Sequence, residues 1–141
     1  MDLNTVGSLV AFGLAFLKLL EFFRDRKPTL AVVAMLRGIA DVGNDLILTN
    51  SSKVPASIYY FELVWAKRSP LGKDIALGRK ELRTEFTLED GPCNITVDGY
   101  STYLLNFSNE HHFDWGTDDL YIKLSLVGRE KPLWIWVVGP R

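Results

Sequence analysis

A single cysteine, Cys93, is the only thiol in this 141-residue chain, which excludes an intramolecular disulfide framework and a multi-cysteine zinc site. Histidine is nearly as scarce, and its two copies, His111 and His112, stand side by side. The formal net charge of −1 withholds the basic footprint that nucleic-acid binding normally requires. Phosphate-cradling and hydrolytic signatures are missing as well: there is no G-x-G-x-x-G, no G-x-x-x-x-G-K-[ST], no G-x-S-x-G and no H-E-x-x-H. An apolar fraction of 48% against 23% charged excludes disordered and low-complexity classes, and the length suits one core.

Charge of one sign is also locally absent. Residues 84–122 hold eight acids (Glu85, Glu89, Asp90, Asp98, Glu110, Asp114, Asp118 and Asp119) and no Lys or Arg, whereas residues 1–83 balance at +4 and residues 123–141 at +3. Asymmetry of this kind shapes partner choice and encounter, not fold. Its simplest outcome is that oppositely charged strands lie side by side and compensate locally.

What the chain does have is one long apolar run. Residues 6–23 read VGSLVAFGLAFLKLLEFF, eleven of them Leu, Val or Phe, and Arg24, Asp25, Arg26, Lys27 and Pro28 follow. Those eleven favour insertion into a bilayer by on the order of −5 kcal/mol. Lys18 and Glu21 oppose it, but they lie in the last third, where a lysine snorkels and the pair shares a helix face. The run reads as a membrane-spanning helix; the alternatives are a helix in the interface plane or one packed on a soluble core. Met1-Asp2 offers no basic n-region and no small-residue cleavage site precedes Arg24, so a cleaved signal is not expected. Gly7, Ala11 and Ala15 make two small-xxx-small steps and form the candidate helix-packing face. Arg24, Arg26 and Lys27 after the run, against Asp2 alone before it, put the following domain on the cytoplasmic side. Three glycosylation sequons, at Asn50, Asn94 and Asn106, speak weakly for the other side.

After Pro28 the pattern turns to strand and turn. Thr29–Arg37, Asp45–Asn50, Ser57–Ala66, Leu82–Glu89, Thr102–Phe107, Asp119–Val127 and Leu133–Val138 are short apolar or alternating runs separated by turn residues. Alternation puts Tyr59, Phe61, Leu63 and Trp65 on one face, separates Leu82, Phe86 and Leu88 from Arg83, Glu85 and Glu89, and points Leu120, Ile122, Leu124 and Leu126 inward. The expectation is mainly β: an antiparallel immunoglobulin-like β-sandwich of seven or eight strands over residues 28–141, preceded by one N-terminal transmembrane helix within residues 1–27. A barrel remains open.

The apolar helix, the flank Phe23-Arg24-Asp25-Arg26-Lys27-Pro28, the segment Leu46-Ile47-Leu48-Thr49-Asn50 and the Val127-Gly128-Arg129 turn resemble small bacterial membrane-anchored proteins that carry an immunoglobulin-like sandwich. The resemblance spans most of the chain and implies architecture. It implies no function.

Three features bear on function. Glu110-His111-His112-Phe113-Asp114 is the one cluster of metal-ligand types, yet neighbouring strand residues point to opposite faces, so a solvated loop is expected in place of a metal site. Lys67, Arg68, Lys73, Arg79, Lys80 and Arg83 place six basic residues in seventeen, a candidate contact for anionic lipid; with no aromatic interleaved, nucleic acid is not the expected partner. The terminal run Leu133-Trp134-Ile135-Trp136-Val137-Val138 is apolar on both faces. With Leu133, Ile135 and Val137 inward, Trp134 and Trp136 project outward as a candidate partner surface, unless the helix or a loop covers them. No catalytic, cofactor-binding or metal residue is assigned. The chain therefore reads as a membrane-anchored binding or scaffolding module, with lipid at residues 6–23 and a protein partner or a second copy elsewhere. The alternative is a soluble or peripheral interaction domain whose helix drives oligomer assembly; a metal-binding or hydrolytic enzyme ranks third.

Overall fold

A computed structural model describes residues 2–24 and 27–140. One helix, α1 (Leu3–Arg24), precedes eight strands: β1 (Leu30–Met35), β2 (Asn44–Asn50), β3 (Ala56–Lys67), β4 (Lys80–Thr87), β5 (Ile95–Val97), β6 (Thr102–Phe107), β7 (Asp119–Leu126) and β8 (Leu133–Val138). Every pairing is antiparallel. The protein is mainly β.

Helix α1 begins where Asp2 caps it. Thr5 donates to the Asp2 carboxylate from both its backbone N–H (2.8 Å) and its hydroxyl (2.6 Å), satisfying a donor that the first turn leaves without a carbonyl. At ~1.5 Å per residue its 22 residues reach about 33 Å, enough for a ~30 Å hydrocarbon core. No residue from Leu3 to Phe23 is buried. The alternative of a helix packed on the core is not what the structure shows: the two sheets close that core between them, and α1 covers none of it.

One sheet has the order β1-β2-β6; the other has β4-β3-β7-β8, with β5 also pairing with β3. Between them lies one core, with Leu46, Leu48, Leu105 and Phe107 from the first sheet meeting Phe61, Leu63, Trp65, Leu120, Ile122 and Leu124 from the second. Phe107 stands edge-on to Phe61 and Phe86 at 6.4 and 5.1 Å between centroids, the geometry the ring quadrupoles favour. Leu133, Ile135 and Val137 of β8 face this core as their alternation requires. The inter-sheet disulfide of an immunoglobulin core has no counterpart here; Trp65 packs on Phe113 and donates its indole N–H to Glu85 at 2.8 Å.

Two expected faces are corrected by β-bulges. On β3 the register to β7 shifts between Ile58 and Tyr60, so Tyr59 is an extra, exposed residue and Ile58 takes the inward place. Along β4 the register to β3 shifts twice, leaving Leu82 and Glu85 between paired positions. Leu82 is accordingly exposed, and Arg83 lies on the core side with its guanidinium 5.2 Å from the Trp65 ring. An eighth strand, β5, joins the seven expected runs; three residues are too short for a period-2 pattern to stand out.

Candidate functional site

The outer face of the five-stranded sheet carries a second apolar cluster. Val64 and Ala66 of β3 and Tyr121 of β7 are buried there, with Trp134 and Trp136 of β8 packed against them. Cross-strand register explains the grouping, since Tyr121 is paired with Trp136 and with Val64. Tyr121 and Trp134 meet edge to face at 5.6 Å.

What buries a cluster on an outer face is the segment from Arg68 to Arg79. It turns at Ser69, whose hydroxyl donates to Leu77 O and accepts from Leu71 N–H at 3.1 Å, and it passes through Gly72 and Gly78 at φ of 141° and 84°. Lys73 then lies with its ammonium 3.9 Å from the centre of the Trp136 ring and its carbonyl 2.6 Å from the Tyr121 hydroxyl, which donates to it. Arg79 stacks its guanidinium 4.7 Å from Tyr121 and 4.8 Å from Trp134. Lys123 approaches Trp134 from β7 at 4.9 Å. Cations over aromatic faces are attracted by the ring quadrupole, and their stems add apolar cover.

The two tryptophans thus project from the sandwich as their alternation requires, but the expectation of an open ladder is corrected: a loop of the same chain half covers them. The six basic residues are divided among different neighbours. Arg68 is bound to Asp119, Lys73 and Arg79 lie on the rings, and Arg83 sits over Trp65, 3.7 Å from Asp118. Lys67 and Lys80 face each other at the C-terminal end of β3. With β3 spanning twelve residues at roughly 3.3 Å each, that end lies about 36 Å from Ala56.

Charge compensation is direct. Lys123 is 2.8 Å from Glu62 and 3.5 Å from Glu81, so burial, which lowers its pKa, is outweighed by these carboxylates and the net shift is upward. Tyr121 is shifted upward too, chiefly by burial, with the charge of Asp119 adding to it and Arg79 and Arg68 opposing. The acidic stretch 84–122 meets the basic first half at Arg68–Asp119, 2.7 Å, and Arg83–Asp118, 3.7 Å.

The remaining sequence candidates go to separate places. His112 Nε2 is 2.8 Å from Arg37 O, whereas His111 lies 3.5 Å from Glu110 and edge-on to Phe86, so the two imidazoles are committed to different neighbours. Among the described residues no group of three or more His, Cys, Asp or Glu stands close enough to hold a metal ion. Cys93 is half-buried with its thiol pKa raised by burial. Gly7, Ala11 and Ala15 are exposed, and a Cβ on Gly7 would meet nothing within 4 Å.

Tyr121, Asp119 and Lys123 belong to the outer face although the apolar pattern singled out only their inward neighbours. The signal for them was the same alternation read on its other side. Val33, Ile47 and Leu104 likewise line up in register across the outer face of the three-stranded sheet, with Val33 and Leu104 exposed. No family model matches the chain, and none of the curated proteins compared with it matches either.

Proposed function

We propose that the chain is a membrane-anchored binding module: α1 spans the bilayer, the sandwich stands on the cytoplasmic side, and the loop-covered aromatic face of β7 and β8 is the surface offered to a protein partner. One observation carries the reading. A 21-residue apolar helix segment, Leu3–Phe23, has no buried residue beside a domain whose own core is complete. Apolar surface of that extent needs an environment, and a bilayer supplies one. The basic flank Arg24, Arg26 and Lys27 supports the cytoplasmic side.

The binding role is supported by the loop itself. Leu71 and Leu77 are 70% and 75% exposed, so the segment that covers Trp134 and Trp136 turns its own apolar side chains outward. Aromatic and apolar anchors of this kind supply most of an interface's energy. Small-xxx-small steps at Gly7, Ala11 and Ala15 favour a second reading, compatible with the first, in which α1 also pairs with the helix of another copy. The test is extraction of membranes with alkaline carbonate. Full-length protein is expected in the pellet, and release into the supernatant would overturn the spanning helix.

A further inference from the structure

We propose that a cationic cavity beside the β7–β8 turn binds a phosphate group. The cavity measures about 520 Å³, and Arg79, Arg129, Lys131, Trp134 and Glu81 line it. That volume falls in the range of small-molecule sites, roughly 300–1,000 Å³. Three cations against one carboxylate give it a positive balance, and Glu81 is itself 3.5 Å from the Lys123 ammonium. Arg129 donates from Nε to Lys131 O at 3.0 Å, tying the two cationic residues of the turn together.

Arg79 is the decisive residue. Its guanidinium lies against the rings of both Tyr121 and Trp134, which removes most of the rotamer freedom an arginine would otherwise lose on binding. Its Nε is buried and finds no acceptor among the described residues. Buried donors are nearly always paired, so this unpaired Nε–H is a reporter that a ligand drawing the guanidinium outward would change, while the Nη groups make the contacts. A planar fork with lysine and a second arginine nearby matches a phosphate, whose oxygens accept several charge-assisted bonds at once.

The position suggests where the phosphate comes from. Arg129 also lines an adjoining cavity, again about 520 Å³, shared with Lys27 and Pro28, where the chain leaves α1. If α1 spans the bilayer, the Arg129 end of the site is the one on the headgroup side, and a lipid phosphate would enter from there; otherwise the phosphate is a free one. The lipid source rests on the spanning reading, whereas the site does not.

The test uses the full chain, isotope-labelled, in neutral phosphatidylcholine nanodiscs, and follows the Trp134 indole and Arg79 Nε–H resonances. Inorganic phosphate is titrated in one arm, and a phosphatidylinositol phosphate is included in the nanodisc in the other, with chloride at equal ionic strength as the control. A saturable shift with inorganic phosphate identifies a free phosphate as ligand; a shift with the lipid alone identifies a headgroup. In either arm the double variant R129Q/K131Q, confined to an exposed turn, should fold normally and bind about tenfold more weakly, and R79Q should bind more weakly still. No shift in either arm, an equal shift with chloride, or unchanged binding by R129Q/K131Q would overturn the site. Carbonate release of the chain would sink the spanning reading and leave the inorganic-phosphate arm to decide.

Discussion

Arg68 grips Asp119 with two parallel hydrogen bonds, Nε to Oδ2 at 2.9 Å and Nη2 to Oδ1 at 2.7 Å. Asp119 Oδ1 also accepts the Trp136 indole N–H at 2.9 Å, so one carboxylate fixes both the root of the covering loop and a ring beneath it. Burial pushes the Asp119 carboxyl up, but the Arg68 and Trp136 hydrogen bonds and the Arg68 charge outweigh it and hold the pKa below its ordinary value. A carboxylate with a lowered folded pKa gives stability that is present above its unfolded pKa and lost as pH falls through the folded one.

Changing Asp119 to Asn should therefore do two things. The side chain of Asp119 is 5% exposed and that of Arg68 45%, so the arginine left behind can rehydrate and the loss stays moderate, roughly 2 kcal/mol. For a domain of this size that is a Tm lower by about 8 °C. The variant should also lose part of the wild type's decline in stability between the ordinary carboxylate range and more acid pH. A D119N unfolding profile that falls with acid as steeply as the wild type would refute this role.

Trp134 and Trp136 yield a second prediction. Because the loop from Arg68 to Arg79 lies on them, replacing both with Ser should cost about 3 kcal/mol, as large-to-small changes in a packed cluster do. The inner core should survive, since Leu133, Ile135 and Val137 remain. Limited proteolysis should then cut within residues 70–79 before anywhere else in the sandwich. A double variant with wild-type melting and an uncut loop would show that the rings do not hold it.

Much of this architecture was legible because period-2 alternation survives where strands are regular. β7 and β8 show their two faces directly, so the inward leucines and the outward tryptophans both follow from it. Tyr59, Leu82 and Glu85 defeat the same logic: each is an extra residue at a register shift, and a bulge depends on how neighbouring strands twist together. The covering loop was hidden for another reason. Its contacts join Lys73 to Tyr121 and Arg68 to Asp119 across 48 and 51 positions, so no local pattern reports them. The acidic and basic halves announced only that compensation was available, not which pairs would form.

Gly43 supplies a backbone test. It enters β2 at φ +79°, and a Cβ there would lie 2.6 Å from Ser108 Cβ and 2.7 Å from Phe107 O. Gly43→Ala combines left-handed strain with a steric clash and should destabilise by about 2 kcal/mol. Gly38→Ala, with nothing within 4 Å of the added carbon, should fall within about 0.5 kcal/mol of wild type. Equal denaturation midpoints for the two variants would show that the turn tolerates a side chain.

The side of the membrane can be tested with the chain's own sequons, because the fold makes them unequal. Asn50 is fully buried, its amide donating to Val54 O at 2.7 Å and Val97 O at 3.1 Å, so no glycan fits there in the folded domain. Asn106 is exposed but its amide donates to Val42 O at 3.1 Å and to Asp45 at 2.7 Å. Asn94 is exposed in the segment before β5, which leaves it as the clean reporter. With Arg24, Arg26 and Lys27 retained inside, the full chain synthesised into microsomes should carry no glycan on Asn94, and a reporter enzyme active only outside the cytoplasm should be silent when fused after Arg141. A glycan on Asn94 together with an active reporter would reverse the topology. A glycan on Asn50 would mean modification before folding, because the folded sandwich buries that amide; blocking it with Asn50→Gln should then leave the Asn94 result unchanged.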